Sequence, residues 1–200
     1  MNTKTILGIS LAAVFAVSLL GGAYASGYLT IESASVSATA TEITKAKINT
    51  GDKIPTKGEA ALGYGIVTSG TDLVVATTHA GVLDSEEQKG DPTSPKWHNH
   101  YVKLAPDAAC VSPVNPSGLR VVDISYESPG KVHVKSDKIE LKDVPLGVIP
   151  THIGIAPNAV SVATTGTYVG AVASFTLSVI PDPTYGVGVC VDNLAPFAAP

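Results

Sequence analysis

The stretch "YVGAVASFTLSVI" (residues 168–180), followed by "GVGVCVD" (186–192), decides the fold class. In the first segment Phe175, Leu177 and Val179 alternate with threonine and serine. Successive side chains of a strand point to opposite faces, so this alternation predicts a β-strand with one face in the core and one facing solvent. Two prolines separate the segments, and proline cannot continue a central ladder. The two segments are therefore predicted to form a hairpin.

Segments of the same kind recur through the chain after residue 25. Each is short, rich in β-branched residues, and bounded by Gly, Pro, Asn or Asp, which is the pattern of an all-β fold. The spacing predicts an antiparallel β-sandwich of about seven to nine strands. The other predicted strand segments are residues 28–43, 61–67, 71–78, 97–104, 119–126, 131–141 and 159–165.

The domain organisation follows from where these strand patterns begin and end. Residues 26–192 are expected to form a single β-sandwich domain. Within it, residues 44–60 are polar and predict a long loop or a linker. Residues 193–200, "NLAPFAAP", show no periodicity and are expected to be an extended C-terminal tail.

The N-terminal residues 1–25 resemble a secretory signal in their layout. Lys4 precedes a long apolar run, and the final Ala23-Tyr24-Ala25 has the small residues that signal peptidase requires. The run also approaches the roughly 20 residues that span a bilayer, so an uncleaved anchor helix is the alternative. Either interpretation predicts that the remaining chain is secreted or lies at the extracytoplasmic cell surface.

The chain contains two cysteines, Cys110 and Cys190. An even number of cysteines in an exported protein predicts a disulfide. The bridge would close a loop of about 80 residues and stabilise the fold by about 4 kcal/mol in the loop-entropy model. The alternative is a cysteine metal ligand, but neither cysteine has a histidine or a second cysteine close in sequence.

The formal net charge of the chain is −4 at pH 7, and its acidic residues are scattered. Nucleic acids and anionic membrane surfaces are bound through concentrated basic patches, so neither is expected as a partner. Membrane contact is expected only through residues 1–25, if they are not cleaved. Protein partners and self-association are left open.

Two of the five histidines, His98 and His100, lie in "KWHNHYVKL" (residues 96–104). Residues two apart on a strand share a face. His79 follows the preceding strand, and antiparallel pairing of the two strands would bring it beside them. Three imidazoles predict a site for one copper or zinc ion, with a coordination position left open. The alternative is that the histidines are separate, solvated residues at a sheet edge.

Residues 80–96 connect these two strands, and this connection exceeds the roughly 12–15 residues above which loops in compact domains are uncommon. Its acids Asp84, Glu86 and Glu87 are predicted to supply a fourth metal ligand or to hydrogen-bond the imidazoles. The alternative is structural: Asp84 and Glu87 have the spacing of a capping box, which favours one short helical turn.

Other residues predict structure rather than chemistry. Trp97 is expected to pack in the core and His133 to face solvent. The sequence has no G-x-S-x-G nucleophile motif, and its single methionine is Met1, so a blue-copper ligand set is missing. No catalytic residue is predicted, and an enzymatic function is the least favoured hypothesis. Two hypotheses remain: a metal-binding protein, or a metal-free structural or adhesive surface module that pairs strands with partner proteins.

Overall fold

A computed structural model describes residues 27–55, 61–70, 73–78, 96–125, 128–147, 152–153, 160–161, 166–184 and 186–199. The all-β, antiparallel prediction is confirmed. The strands are β1 (Ile31–Ala38), β2 (Glu42–Thr50), β3 (Leu62–Thr68), β4 (Leu73–Thr78), β5 (His98–Pro106), β6 (Leu119–Ile124), β7 (Lys131–Lys135), β8 (Lys138–Pro145), β9 (His152–Ile153), β10 (Val160–Ser161), β11 (Tyr168–Asp182) and β12 (Gly186–Ala198).

The strands form three sheets. One has four strands in the order β1-β2-β8-β7, and a small one pairs β9 with β10. The other six strands close into a barrel in the order β11-β12-β6-β5-β4-β3. Closure depends on the pairing of β11 with β3, which joins Thr176 to Leu62 across the sheet. The sandwich arrangement and the N-terminal helix stay predictions, and residues 1–26 lie outside the described residues.

The described part of the chain has twelve strands rather than the predicted seven to nine. The short strand β9 was not predicted, and two segments turn back where one strand or a loop was expected. Residues 28–43 divide at Thr39–Thr41, and residues 42–50 form β2, although residues 44–60 were expected to be a long loop or a linker. Ile43 and Ile48 of β2 are fully buried. Residues 131–141 divide at Ser136, whose φ of 56° is left-handed. Neither turn contains glycine or proline, which is why the sequence did not reveal them.

Two hydrophobic cores follow from the alternation along the barrel strands. On β3, Leu62, Tyr64 and Ile66 pack towards the four-stranded sheet, whereas Val67 packs with residues of the barrel strands alone. We call the first set the interface core and the second the barrel core. The interface core also includes Ile43, Ala46, Ile48, Val74, Ala76, Tyr101, Ile139, Leu141, Val144 and Val172. The barrel core consists of Val67, Leu73, Val75, Val102, Leu119, Val121, Phe175 and Val191.

The C-terminal hairpin and the disulfide complete the barrel. Cys110 and Cys190 are bonded, with Cα atoms 5.5 Å apart, so the predicted bridge is confirmed. It ties a 3₁₀ turn after β5 to β12. Residues 193–198, expected as an extended tail, are the end of β12 and pair with β11 as far as Ala171. This segment is a strand because it pairs with β11, although its sequence shows no alternation of apolar and polar residues.

Candidate functional site

The two closely spaced histidines lie at the beginning of β5. Tyr101 packs in the interface core and Val102 in the barrel core, so the two faces of β5 belong to different cores. His98 and His100 share the face of Val102 because side chains two residues apart on a strand point the same way. Both imidazoles therefore lie on the barrel-core side, with only 3% and 2% of their residue surface exposed.

The two imidazoles contact each other edge to face. Their ring centroids are 4.6 Å apart, and the ring planes are inclined by 88°. This arrangement excludes the alternative of separate, solvated residues at a sheet edge for His98 and His100. β5 is also not an edge strand, since it is paired with β4 on one side and with β6 on the other.

Main-chain carbonyls orient both rings. The Nδ1 of His98 lies 3.0 Å from the carbonyl oxygen of Lys96, and the Nδ1 of His100 lies 2.8 Å from that of Ser125. A carbonyl oxygen only accepts hydrogen bonds, so each Nδ1 carries the proton and donates it. In the neutral ring the Nε2 then holds the lone pair. This is the tautomer in which Nε2 coordinates a metal ion while Nδ1–H is fixed by the protein.

Residues of the neighbouring strand β4 lie beside the two imidazoles. Val75 lies opposite His100 and Thr77 lies opposite His98 in the β4–β5 register. The hydroxyl of Thr77 donates to the carbonyl of Leu62 at 2.8 Å, which fixes this side chain against β3. The end of the barrel that contains the imidazoles is therefore formed by the start of β3, the end of β4 and the start of β5.

Ser125 supports the site, although nothing in the sequence pointed to it. Its carbonyl accepts from His100, and its hydroxyl accepts from the backbone N–H of Tyr101 at 3.0 Å. The contact follows from a register shift between β5 and β6 near Lys103 and Leu104. A register shift between two strands leaves no mark in the sequence of either one, so no local signal pointed to Ser125.

The side chains on the opposite face of β5, and of Trp97 directly before it, pack against other parts of the fold. Trp97 stacks on Tyr64 with ring centroids 5.9 Å apart, and its Nε1–H donates to the carbonyl of Pro55 at 3.1 Å. The predicted packing role of Trp97 is confirmed. Asn99 donates from Nδ2 to the carbonyl of Pro129 at 2.8 Å, which fixes β5 against the turn before β7.

The other predicted ligands fall outside the described residues: His79, Asp84, Glu86 and Glu87. They belong to residues 79–95, which join the end of β4 to the start of β5 covalently. Within the described ranges, no group of three or more His, Cys, Asp or Glu side chains could hold a metal ion. Of the remaining histidines, His133 is exposed on β7, as predicted, and His152 belongs to β9.

Comparison with protein-family models, with curated proteins and with solved structures found no match for this chain. The site must therefore be interpreted from its own geometry. Among the residues that the structure describes, none belongs to a helix that could cross a membrane.

Proposed function

We propose that this is an exported metal-binding β protein in which His98, His100 and His79 bind one copper or zinc ion at one end of the barrel. The observation that carries the proposal is the buried pair on β5. Two imidazoles, 4.6 Å apart, share one face and have both Nδ1–H groups fixed on carbonyls. Buried polar side chains are costly to desolvate, so two neighbouring histidines in a mostly aliphatic barrel call for a functional reason.

The chemistry of the pair suits a borderline metal ion. Neutral imidazole nitrogen is a common ligand of zinc and copper, and a second ring nitrogen held by a carbonyl orients the ligand and raises its basicity. His79 follows β4 by one residue and completes a three-histidine set in this proposal. Asp84, Glu86 and Glu87 would act as a fourth ligand or accept hydrogen bonds at the site. The fourth position could instead hold water.

Export is part of the same proposal. The disulfide between Cys110 and Cys190 is compatible with an oxidising compartment, where such bonds persist. The signal-like residues 1–25 point the same way, either as a cleaved peptide or as a membrane anchor. The proposed location is the extracellular space or the extracytoplasmic cell surface.

Titration with zinc and with copper(II), followed by calorimetry, tests the metal proposal. The exported protein should bind about one equivalent per chain, and binding to the folded state should raise the melting temperature by mass action. Affinity should fall as the pH drops through about 6.5, the ordinary range of imidazole, because protons compete with the metal for the ligand nitrogen.

A series of histidine-to-glutamine variants distinguishes the proposed metal ligands from an exposed surface histidine. The H98Q/H100Q variant should lose both stoichiometric binding and the rise in melting temperature, while glutamine can still donate to the two carbonyls. H133Q is the matched control, because His133 is exposed on β7. Unchanged titration of H98Q/H100Q, with folding verified by circular dichroism, would disprove the site. Loss of binding in H79Q would assign the third ligand.

A metal-free structural or adhesive module is the second candidate function. It is favoured by the four-stranded sheet, which, unlike the closed barrel, has two edge strands, β1 and β7. Open edges allow strand addition by a partner. A protein that binds neither metal but self-associates or captures a partner through an edge strand would favour this candidate.

A further inference from the structure

The four-stranded sheet has two edges of different chemical character. Barrel closure leaves its six strands without free edges, whereas β1 and β7 each have one paired neighbour. Throughout the described ranges, no strand pairs with the outer side of either. An edge strand presents unpaired backbone N–H and C=O groups, which are a template for pairing with another chain.

β7 is protected against such pairing. Its side chains Lys131, His133 and Lys135 alternate on the exposed face. Lysine on an edge strand discourages strand addition because it costs free energy to bury or to oppose another lysine. Two β7 strands side by side would also bring like charges together.

β1 lacks this protection. Its only charged residue is Glu32, and its exposed positions include Ser33, Ser35 and Ser37. Its other face packs on the margin of the interface core through Ile31, Ala34 and Val36, which are only partly buried. A strand added outside β1 would cover these apolar side chains.

We propose that β1 pairs antiparallel with β1 of a second copy of this chain, about a two-fold axis at Ser35. The pair would join the two four-stranded sheets into one continuous sheet. Two-fold dimers are the commonest closed assemblies, since one surface serves both copies. This pairing is independent of the metal proposal, and it names the partner that the structural alternative leaves open.

The register follows from the two faces of β1. Opposed residues in an antiparallel pair lie on the same face, and a slip of one residue moves every side chain to the wrong face. With Ser35 opposite its own copy, Ala34 lies opposite Val36 and Ser33 opposite Ser37. Apolar then meets apolar, and hydroxyl meets hydroxyl. Glu32 would lie near Ala38, away from its counterpart.

The backbone directions agree with this register. The carbonyl of Ser37 faces β2, because it accepts from the hydroxyl of Thr44 at 3.0 Å. Backbone groups of alternate residues point to opposite sides of a strand, so Ala34 and Val36 direct theirs outwards. In the proposed register these two residues are opposite each other and exchange both main-chain hydrogen bonds.

Sedimentation equilibrium of the exported protein tests the pairing. The protein should have twice the chain mass at high concentration, and S35K should reduce it to the chain mass by placing two lysines together at the axis. Mixing S35K with S35E should restore the dimer as a mixed species. H133K is the matched control: it adds the same charge to the other edge and should leave the dimer intact.

A cysteine at the axis gives a second, independent measurement. Opposed antiparallel residues have Cα atoms about 4.5–5.5 Å apart, within the range of a disulfide. S35C should therefore form a cross-linked dimer on oxidation, whereas H133C should not. Wild-type protein that stays monomeric at its solubility limit, or a dimer unaffected by S35K, would overturn the pairing. S35K should bind metal as wild type does. The metal proposal and the pairing proposal can therefore fail independently, and the two experiments show which one has failed.

Discussion

The interface core and the barrel core differ in how they accommodate polar groups. In the interface core two tyrosines reach main-chain carbonyls on the sheet side: Tyr64 donates to Tyr28, and Tyr101 donates to Pro145 at 2.6 Å. In the barrel core the aliphatic residues give way at one end to His98 and His100, whose partners are carbonyls at the start of β5 and beside β6. The tyrosine hydrogen bonds join the sheet to the barrel, whereas the carbonyl partners of the histidines, Lys96 and Ser125, lie beside the barrel strands themselves. The polar groups of the interface core thus join two layers, whereas those of the barrel core lie at one end of a single layer.

The two cores share the same strands, so we expect them to unfold as one cooperative unit. Ile66 on β3 packs in the interface core and is fully buried, and Leu73 on β4 packs in the barrel core and is 1% exposed. We expect I66A and L73A each to lower the free energy of unfolding by about 2–5 kcal/mol through lost burial and a cavity. Urea titration, followed by tryptophan fluorescence and far-ultraviolet circular dichroism, should give one coincident transition in both variants. Separated transitions in either would show that the cores unfold independently.

The barrel core is packed too closely for a side chain at Gly63. A Cβ there would lie 2.5 Å from the Cζ of Phe175 and 2.9 Å from the carbonyl oxygen of Ala76. We expect G63A to destabilise the protein by about 1–3 kcal/mol, the usual cost of overpacking, with F175L in the same chain recovering part of the loss. G65A is the matched control.

At Gly65 the nearest atom to a Cβ is a terminal carbon of Leu73 at 3.0 Å, and this flexible side chain can move away. Chemical denaturation of the three variants measures the difference. Equal losses in G63A and G65A, or no recovery by F175L, would contradict this account of the packing.

The smallest expected effect concerns the tyrosine hydroxyls of the interface core. Y101F removes the hydrogen bond to Pro145 and should cost about 0.5–1.5 kcal/mol at neutral pH. Burial raises the pKa of Tyr101 above its ordinary value. The folded protein therefore keeps a proton that the unfolded chain releases at high pH. The resulting stability is complete below about pH 10 and is lost as the pH rises above it.

The free energy of unfolding of wild type and of Y101F, measured at pH 8 and at pH 10.5, checks the predicted direction of this pH dependence. Wild type should lose more stability than the variant between the two values, and Tyr64, which burial affects in the same direction, should account for part of the loss that remains. Identical losses in both proteins would show that Tyr101 does not contribute to the loss of stability at high pH.

Prediction from sequence succeeded where the signal was local and failed where it was not. The hairpin around Phe175, the strand at His98 and the pairing of the two cysteines were all confirmed. The strand β2 was missed because its polar residues Lys45, Lys47 and Asn49 suggested a loop. Ala46 and Ile48 alternate with them as inward residues, but an irregularity at Thr44 separates this alternation from the buried Ile43. In the candidate site, the shared face of His98 and His100 was predictable, but their burial and the support from Ser125 were not.

The sequence by itself determined that the chain forms β-strands, which face is the more apolar where residues alternate as in β7, and that His98 and His100 point the same way. These properties depend on the two-residue period of a strand, which any short segment displays. Only the tertiary structure decided that six strands close into a barrel and that the face carrying the two histidines belongs to its interior. Closure pairs residues 62–68 with residues 168–176, far apart in the chain. No local pattern encodes such a pairing, since it depends on how all the strands pack together.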